Sequence, residues 1–124
     1  MIVAALVTAS LGLAHHQHVD CSPVCEHRVN RHMRYVLRRT HRRQWRQITR
    51  PFRDWLRSTR MCESRGDYRI NTGNGFYGAY QFTLESWQAV GGVGLPSDAE
   101  PLRQDLLAVR LLKLSGRGNW PVCG

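Results

Sequence analysis

Apolar positions recur at helical spacing in three stretches of this chain and alternate in a fourth. Val29, Met33, Val36, Leu37 and Thr40 share one side of a helical wheel among arginines, and no Gly or Pro interrupts the run between Pro23 and Pro51. That spacing predicts a basic amphipathic helix. From Pro51 onward, Phe52, Trp55, Leu56 and Thr59 stand eleven, eight, seven and four residues before Glu63, so a second helix carries Glu63 at the end of its apolar stripe. Trp45, Ile48 and Phe52 read as a lead-in packed on the flank of the C-terminal domain.

Ser64-Arg65-Gly66 stops this helix. Beyond it Tyr68, Ile70 and Thr72 alternate with polar residues as far as Gly73-Asn74-Gly75, and Phe76, Gly78 and Tyr80 resume the period. Asn74-Gly75 is a strong turn dipeptide because both residues tolerate positive φ, so the stretch predicts a short β-hairpin. Thr83 suits the N-cap of a short helix over 84–90, stopped by Gly91-Gly92, and residues 93–100 read as a loop. Pro101 fits the first turn of a final helix reaching Leu114. Its stripe of Leu102, Leu106, Val109 and Lys113, with Leu107, Leu111 and Leu114 beside it, is wide enough to predict burial on two sides.

The first 14 residues, MIVAALVTASLGLA, are uncharged and apolar, and Gly12 and Ala14 meet the small-residue pattern of a cleavage site. This predicts a signal-peptide-like segment 1–14, too short to span a bilayer as a helix. Its n-region lacks Lys and Arg, so either the α-amino group supplies the charge or the start lies upstream. A buried helix of a cytosolic protein is the competing reading.

Length and charge sharpen the division. A chain of 124 residues has room for one small domain plus appendages, and 18 Lys+Arg against 9 Asp+Glu give a net charge of +9. Residues 22–50 hold nine arginines and only Glu26, whereas residues 51–124 carry nine basic against seven acidic residues and are nearly neutral. The basicity therefore belongs to a His/Cys-containing, Arg-rich linker at 15–50, ahead of a domain at 51–124. Attraction of the linker to a polyanion is weighed against a solvated tether. His15, His16, His18, Cys21, Cys25 and His27 could ligate Zn²⁺ or Cu²⁺, but their spacing matches no closed four-ligand pattern, and no metal site is assigned. A local Cys21–Cys25 disulfide, or pairing with another chain, suits an exported protein better. Cys21 lacks the small apolar residues that precede a lipidated cysteine. Four cysteines allow three pairings.

Candidate chemistry concentrates between Met61 and Phe82. A carboxylate closing an apolar stripe is partly desolvated, which raises its pKa toward the value a general acid needs near neutrality. The bland alternative for Glu63 is a solvated or capping residue at a helix end. Tyr68, Phe76, Tyr77, Tyr80 and Trp87 then crowd into a short span beside amide and hydroxyl groups. Sugar-binding clefts have that mix, since sugar rings show apolar faces to aromatics and hydroxyls to amides. A small core sealed by aromatics would account for part of it.

Cys62-Glu63-Ser64, Ile70-Asn71-Thr72-Gly73-Asn74-Gly75-Phe76-Tyr77-Gly78, Gln81-Phe82-Thr83, Trp87 and Gly116-Arg117-Gly118-Asn119-Trp120-Pro121-Val122-Cys123 closely resemble the catalytic domain of actinobacterial resuscitation-promoting factors. The resemblance covers residues 51–124. It implies an α+β fold, a small lysozyme-like domain of about three helices plus the hairpin, related to goose-type lysozyme and soluble lytic transglycosylases. The implied activity is cleavage of β-1,4 glycosidic bonds in peptidoglycan glycan strands, of muramidase or lytic transglycosylase type, in support of wall remodelling and growth or resuscitation from dormancy. Glu63 falls on the family's catalytic glutamate, Cys62 and Cys123 on its disulfide pair, and Thr72, Tyr77, Gln81 and Trp87 on substrate-binding cleft positions. That pairing leaves Cys21 with Cys25 and folds the tail back onto Cys62.

The chain departs from the family pattern in three places. Arg65 stands where Gly is usual, Asp67-Tyr68 replaces Asn-Trp, and Ala79-Tyr80 replaces a Gly followed by an aliphatic residue. These changes bear on subsites and rate, not on the placement of the acid. Of the candidates for a second catalytic carboxylate, Asp67, Glu85, Asp98 and Asp105, none is convincing. The resemblance implies that Glu63 serves alone, as acid and then base, with the substrate's own N-acetyl group as nucleophile and no cofactor. A secreted, wall-associated monomer is expected, acting on peptidoglycan, with Arg28 to Arg50 drawn to anionic wall polymers and no stable nucleic-acid partner. The rival from another class is a non-catalytic wall- or polyanion-binding protein that uses the basic 22–50 segment.

Overall fold

The computed structural model describes residues 23–124, with side chains from His27 onward. The signal-like segment 1–14, the cluster residues from His15 to Cys21, and the Cys21–Cys25 pairing lie outside the described residues; of that cluster, His27 alone has a described side chain, exposed on the first helix. Four α-helices make the frame: α1 (Pro23–Gln47), α2 (Arg50–Ser64), α3 (Leu84–Ala89) and α4 (Pro101–Ser115). Two short 3₁₀ turns, Pro96–Asp98 and Gly116–Asn119, flank α4.

Local chemistry accounts for the helix ends. Pro51 and Pro101 occupy first-turn positions of α2 and α4, where a missing N–H costs nothing. The Thr83 hydroxyl caps α3 by accepting from the Ser86 N–H at 3.1 Å. Arg65 ends α2 in the left-handed conformation, at φ 57°, which explains why Gly is usual at this position in the family it resembles.

The expected β-hairpin is absent, and the α+β assignment is corrected to a helical fold: no strand occurs among the described residues. Between α2 and α3 the pairing amounts to two isolated antiparallel bridges, Asn71 with Tyr77 and Tyr77 with Phe82. The chain does reverse about Asn74. What prevents a ladder is competition from short polar side chains. Asp67 Oδ1 accepts from the Arg69 N–H at 2.8 Å, Asn71 Oδ1 from Gly73 at 3.2 Å, and Asn74 Oδ1 from Phe76 at 3.0 Å. Each of these turns occupies a donor that cross-strand pairing would need.

The core forms where α2, α4 and this turn-rich segment meet. Trp55 and Leu56 of α2, Tyr80 and Phe82, Trp87 of α3, and Leu107, Ala108, Val109 and Leu111 of α4 are buried together with Trp120. Its aromatics pack edge to face, with ring centroids 5.0 Å apart for Trp55 and Trp120 and 5.1 Å for Phe82 and Trp87. Two polar centres stitch α4 to the turns. Gln104, fully buried, donates from Nε2 to the Pro96 and Tyr68 carbonyls (2.7 and 2.9 Å) and accepts at Oε1 from the Ala79 N–H (2.9 Å). Asp105 accepts from both the Tyr68 and Tyr80 hydroxyls, with Arg60 of α2 at 3.9 Å. Two of the departures from the family pattern, Tyr68 and Tyr80, thus meet on one carboxylate.

α1 packs along α4. His41 is buried in the contact, and Trp45, Ile48 and Phe52 pack against the core as the lead-in predicts. Arg38 Nε reaches Glu100 at 3.1 Å. Both side chains of that pair are exposed, so it adds little.

Candidate active site

Glu63 lies in the last turn of α2, and three interactions hold that turn in place. The Ser64 hydroxyl donates to the Ala79 carbonyl at 2.9 Å, which clamps the helix end to the turn segment. Thr59 Oγ1, one turn earlier, donates to the Cys123 carbonyl at 3.2 Å. Cys62 and Cys123 form a disulfide, with Cα atoms 5.7 Å apart. The C-terminal tail is thereby fastened beside the acid.

An open groove of about 310 Å³ results, lined by Glu63, Phe76, Gln81, Asn119, Pro121 and Val122 with Cys123. Glu63 is half-buried in its wall, and burial raises its carboxyl above the ordinary glutamate value. No other carboxylate lines the groove. Gln81 faces Glu63's groove with its backbone at φ 50°, a conformation held by its own Nε2 donating to the Gly78 carbonyl at 3.0 Å. A second, smaller hollow adjoins through Phe76, Gln81 and Asn119.

Of the residues expected from sequence, the structure brings Glu63 and Gln81 together. Thr72 is exposed on the preceding turn, and Tyr77 is half-buried with its N–H and carbonyl engaged by Phe82 at 2.9 and 3.0 Å. Neither lines the groove. Trp87 is fully buried in the core, edge-on to Phe82. The aromatic cluster divides accordingly: of Tyr68, Phe76, Tyr77, Tyr80 and Trp87, Phe76 alone lines the groove with Glu63. Phe76 entered the sequence reading only as one of the clustered aromatics, and Asn119, Pro121 and Val122 received no role from sequence. The signal that could have found the last three is the Cys62–Cys123 pairing, which draws residues just before Cys123 next to the residue just after Cys62.

Of the other carboxylates considered, neither Glu85 nor Asp98 lines the groove, and Asp67 and Asp105 are committed elsewhere. Asp67 is exposed and caps its own turn through the Arg69 N–H. Asp105 is buried under the Tyr68 and Tyr80 hydroxyls, where desolvation raises its pKa while those hydroxyls and Arg60 pull it back. What the groove offers is one desolvated proton donor, two amide side chains and an apolar ring: equipment for protonating an oxygen on a hydroxylated, ring-shaped ligand.

Comparison with known proteins bears on this geometry. Residues 53–123 match the family described as a transglycosylase-like domain. The chain is 58% identical over 62 residues to a resuscitation-promoting factor of Micrococcus luteus, covering 50% of this chain and 28% of that protein. It is 44% identical over 63 residues to resuscitation-promoting factor RpfD of Mycobacterium tuberculosis, covering 51% and 41%. It is 42% identical over 76 residues to resuscitation-promoting factor Rpf1 of Corynebacterium glutamicum, covering 59% and 39%. The chain thus spans less than half the length of each of these relatives.

Proposed function

Because the chain belongs to the transglycosylase-like domain family, as a resuscitation-promoting factor catalytic domain, we propose that it cleaves β-1,4 glycosidic bonds in the glycan strands of peptidoglycan, with Glu63 as acid and then base. The observation that carries this reading is that Glu63, desolvated and protonated to higher pH than usual, is the one carboxyl lining the groove. Protonation of the glycosidic oxygen by Glu63 accompanies breakage of the bond to the anomeric carbon. The substrate's N-acetyl oxygen bonds that carbon from the other face, which a single-carboxyl site requires. The resulting Glu63 carboxylate then takes a proton from water, or from the sugar's own 6-hydroxyl, whose oxygen bonds the anomeric carbon as the bond from the N-acetyl oxygen to that carbon breaks, giving a reducing or an anhydro end. Gln81 and Asn119 orient sugar hydroxyls, and Phe76 takes an apolar ring face. Thr72 and Tyr77 meet flanking sugars along the turn, while Trp87 backs the groove through Phe82.

The decisive test is Glu63→Gln, which keeps the shape and removes the proton. Release of soluble fragments from purified peptidoglycan should fall about 10² to 10⁴-fold, the worth of general acid catalysis. Equal turnover in the variant would remove Glu63 from the chemistry. Mass spectrometry of a wild-type digest separates the two product classes, since anhydro and reducing ends differ by one water.

We further propose that the protein acts outside the cell at the wall, as a monomer, and supports wall remodelling and resuscitation from dormancy. The arginines from Arg28 to Arg50 draw it to anionic wall polymers. The motivating observation is that all of them are exposed, Arg28 to Arg46 along α1 and Arg50 at the start of α2. Among the described residues no helix is long and apolar enough to cross a membrane.

A further inference from the structure

A second groove, of about 350 Å³, lies where α1, α2 and α4 meet and shares no residue with the one holding Glu63. Arg103, Arg110 and Lys113 of α4 face it at a spacing that sets them along one side of the helix. No carboxylate lines it. Among the described residues the ion pairs are Arg38–Glu100, Arg50–Asp54 and Arg60–Asp105, so none of these three cations has an acidic partner. Arg103 donates from Nη2 to the Gly91 carbonyl at 2.9 Å, which fixes its guanidinium. Lys113 Nζ sits 5.3 Å from the centre of the Phe52 ring. Burial and the neighbouring charge of Arg110 both press the Arg103 pKa below its usual value. Like charges gathered without a counter-charge cost free energy that a bound anion recovers.

The rest of the lining narrows the anion. Gln44 and Gln47 of α1 supply amides and Thr49 a hydroxyl, while Phe52 and Leu106 supply apolar surface. Guanidinium and ammonium donors together match the several oxygens of a phosphate. Amides and a hydroxyl match alcohol groups, and the ring matches a carbon skeleton.

We propose that this groove binds a phosphate-bearing polyol or sugar, one repeating unit of an anionic wall polymer. The site rests on the reading that the basic face of the protein meets such polymers, and deepens it: α1 supplies long-range attraction, and the groove supplies the discrete contact. The volume is that of a small-ligand site.

The test uses the full chain, with sn-glycerol 3-phosphate and short poly(glycerol phosphate) as probes in calorimetric titrations at fixed salt. Arg110 and Lys113 are exposed, so the pair Arg110→Gln, Lys113→Gln leaves the core intact. This variant should lose about tenfold or more in affinity for both probes while digesting peptidoglycan at the parental rate. A control pair on the open face of α1, Arg39→Gln with Arg43→Gln, both exposed, should keep its affinity for sn-glycerol 3-phosphate within about twofold and lose only salt-sensitive adsorption to whole walls. Unchanged probe affinity in the groove variant would overturn the site while leaving the polyanion reading of α1 intact. If neither probe binds the parent and neither pair alters wall adsorption, both readings fall. Binding to phosphatidylglycerol vesicles that the groove variant abolishes and the soluble probes cannot displace would assign the groove to a membrane face and overturn the proposal.

Discussion

Glu63 is half-buried at a helix end, and burial has a thermodynamic signature. Its pKa is raised in the folded state, so over the window between the ordinary glutamate value and the higher folded value the native state binds more protons than the unfolded chain. Stability contributed by the protonated form is full below that window and is lost as pH rises through it. Glu63→Gln should therefore be more stable than the parent at neutral pH. Melting temperatures measured across the acid range should converge below the window; a constant offset would mean that burial is not the cause. Cleavage should likewise decline as pH rises through the same folded pKa, because the acid form is being consumed. Two residues on, Arg65 holds a left-handed backbone at φ 57° with its side chain exposed. A non-glycine residue in that conformation costs about 1 kcal/mol. Arg65→Gly should recover a similar amount, less what the unfolded chain gains in freedom, and denaturant titration would register the shift.

At the scale of elements, α4 organises the turns that shape the groove, and it does so through Gln104 and Asp105. Gly78 shows how close that approach is. A Cβ at this position would lie 2.4 Å from Gln104 Oε1, on a backbone at φ 69°. The Gly78 N–H donates to the Ile70 carbonyl at 2.9 Å, and its own carbonyl accepts from Gln81 on both backbone and side chain at 3.0 Å. Gly78→Ala should cost about 2 to 3 kcal/mol, combining backbone strain with a displaced buried amide. Because Gln81 hangs on the same turn, its displacement should raise KM for soluble glycan fragments more than Glu63→Gln does. A variant with parental stability and KM would show that the turn yields without consequence.

For the molecule as a whole the Cys62–Cys123 bond is the largest single constraint. It joins residues 61 apart in a domain too small to gain much from its core. The chain-entropy value for a loop of this length is about 4 kcal/mol. The double change Cys62→Ser, Cys123→Ser should therefore lower the melting temperature sharply. It should also reduce activity under conditions where the domain stays folded, since the tail carrying Asn119 and Pro121 loses its tether beside Glu63. A double mutant as stable and as active as the parent would contradict both expectations.

Much of this molecule is written in short-range pattern. The helices from Pro23, Arg50, Leu84 and Pro101 follow from apolar spacing, Pro at first turns, the Thr83 cap and glycine stops, because helix formation is decided by residues three and four apart and by the few at each end. The position of Glu63 at the end of an apolar stripe, and hence its desolvation, was legible for the same reason. The stretch from Asp67 to Tyr80 was not. Its alternation is real, yet side-chain oxygens of Asp67, Asn71 and Asn74 compete for the backbone donors, and the contest is settled by contacts with α4 through Gln104 and Asp105, residues 25 to 37 positions away in sequence. Which aromatics would line the groove and which would seal the core was equally open, since Tyr80, Phe82 and Trp87 have the same local character as Phe76. Only closure of the tail over the core, with Trp120 donating to the Tyr80 carbonyl at 2.8 Å and Cys123 meeting Cys62, assigns them their places. Those contacts join parts of the chain 40 to 61 residues apart, a range over which local periodicity carries no information.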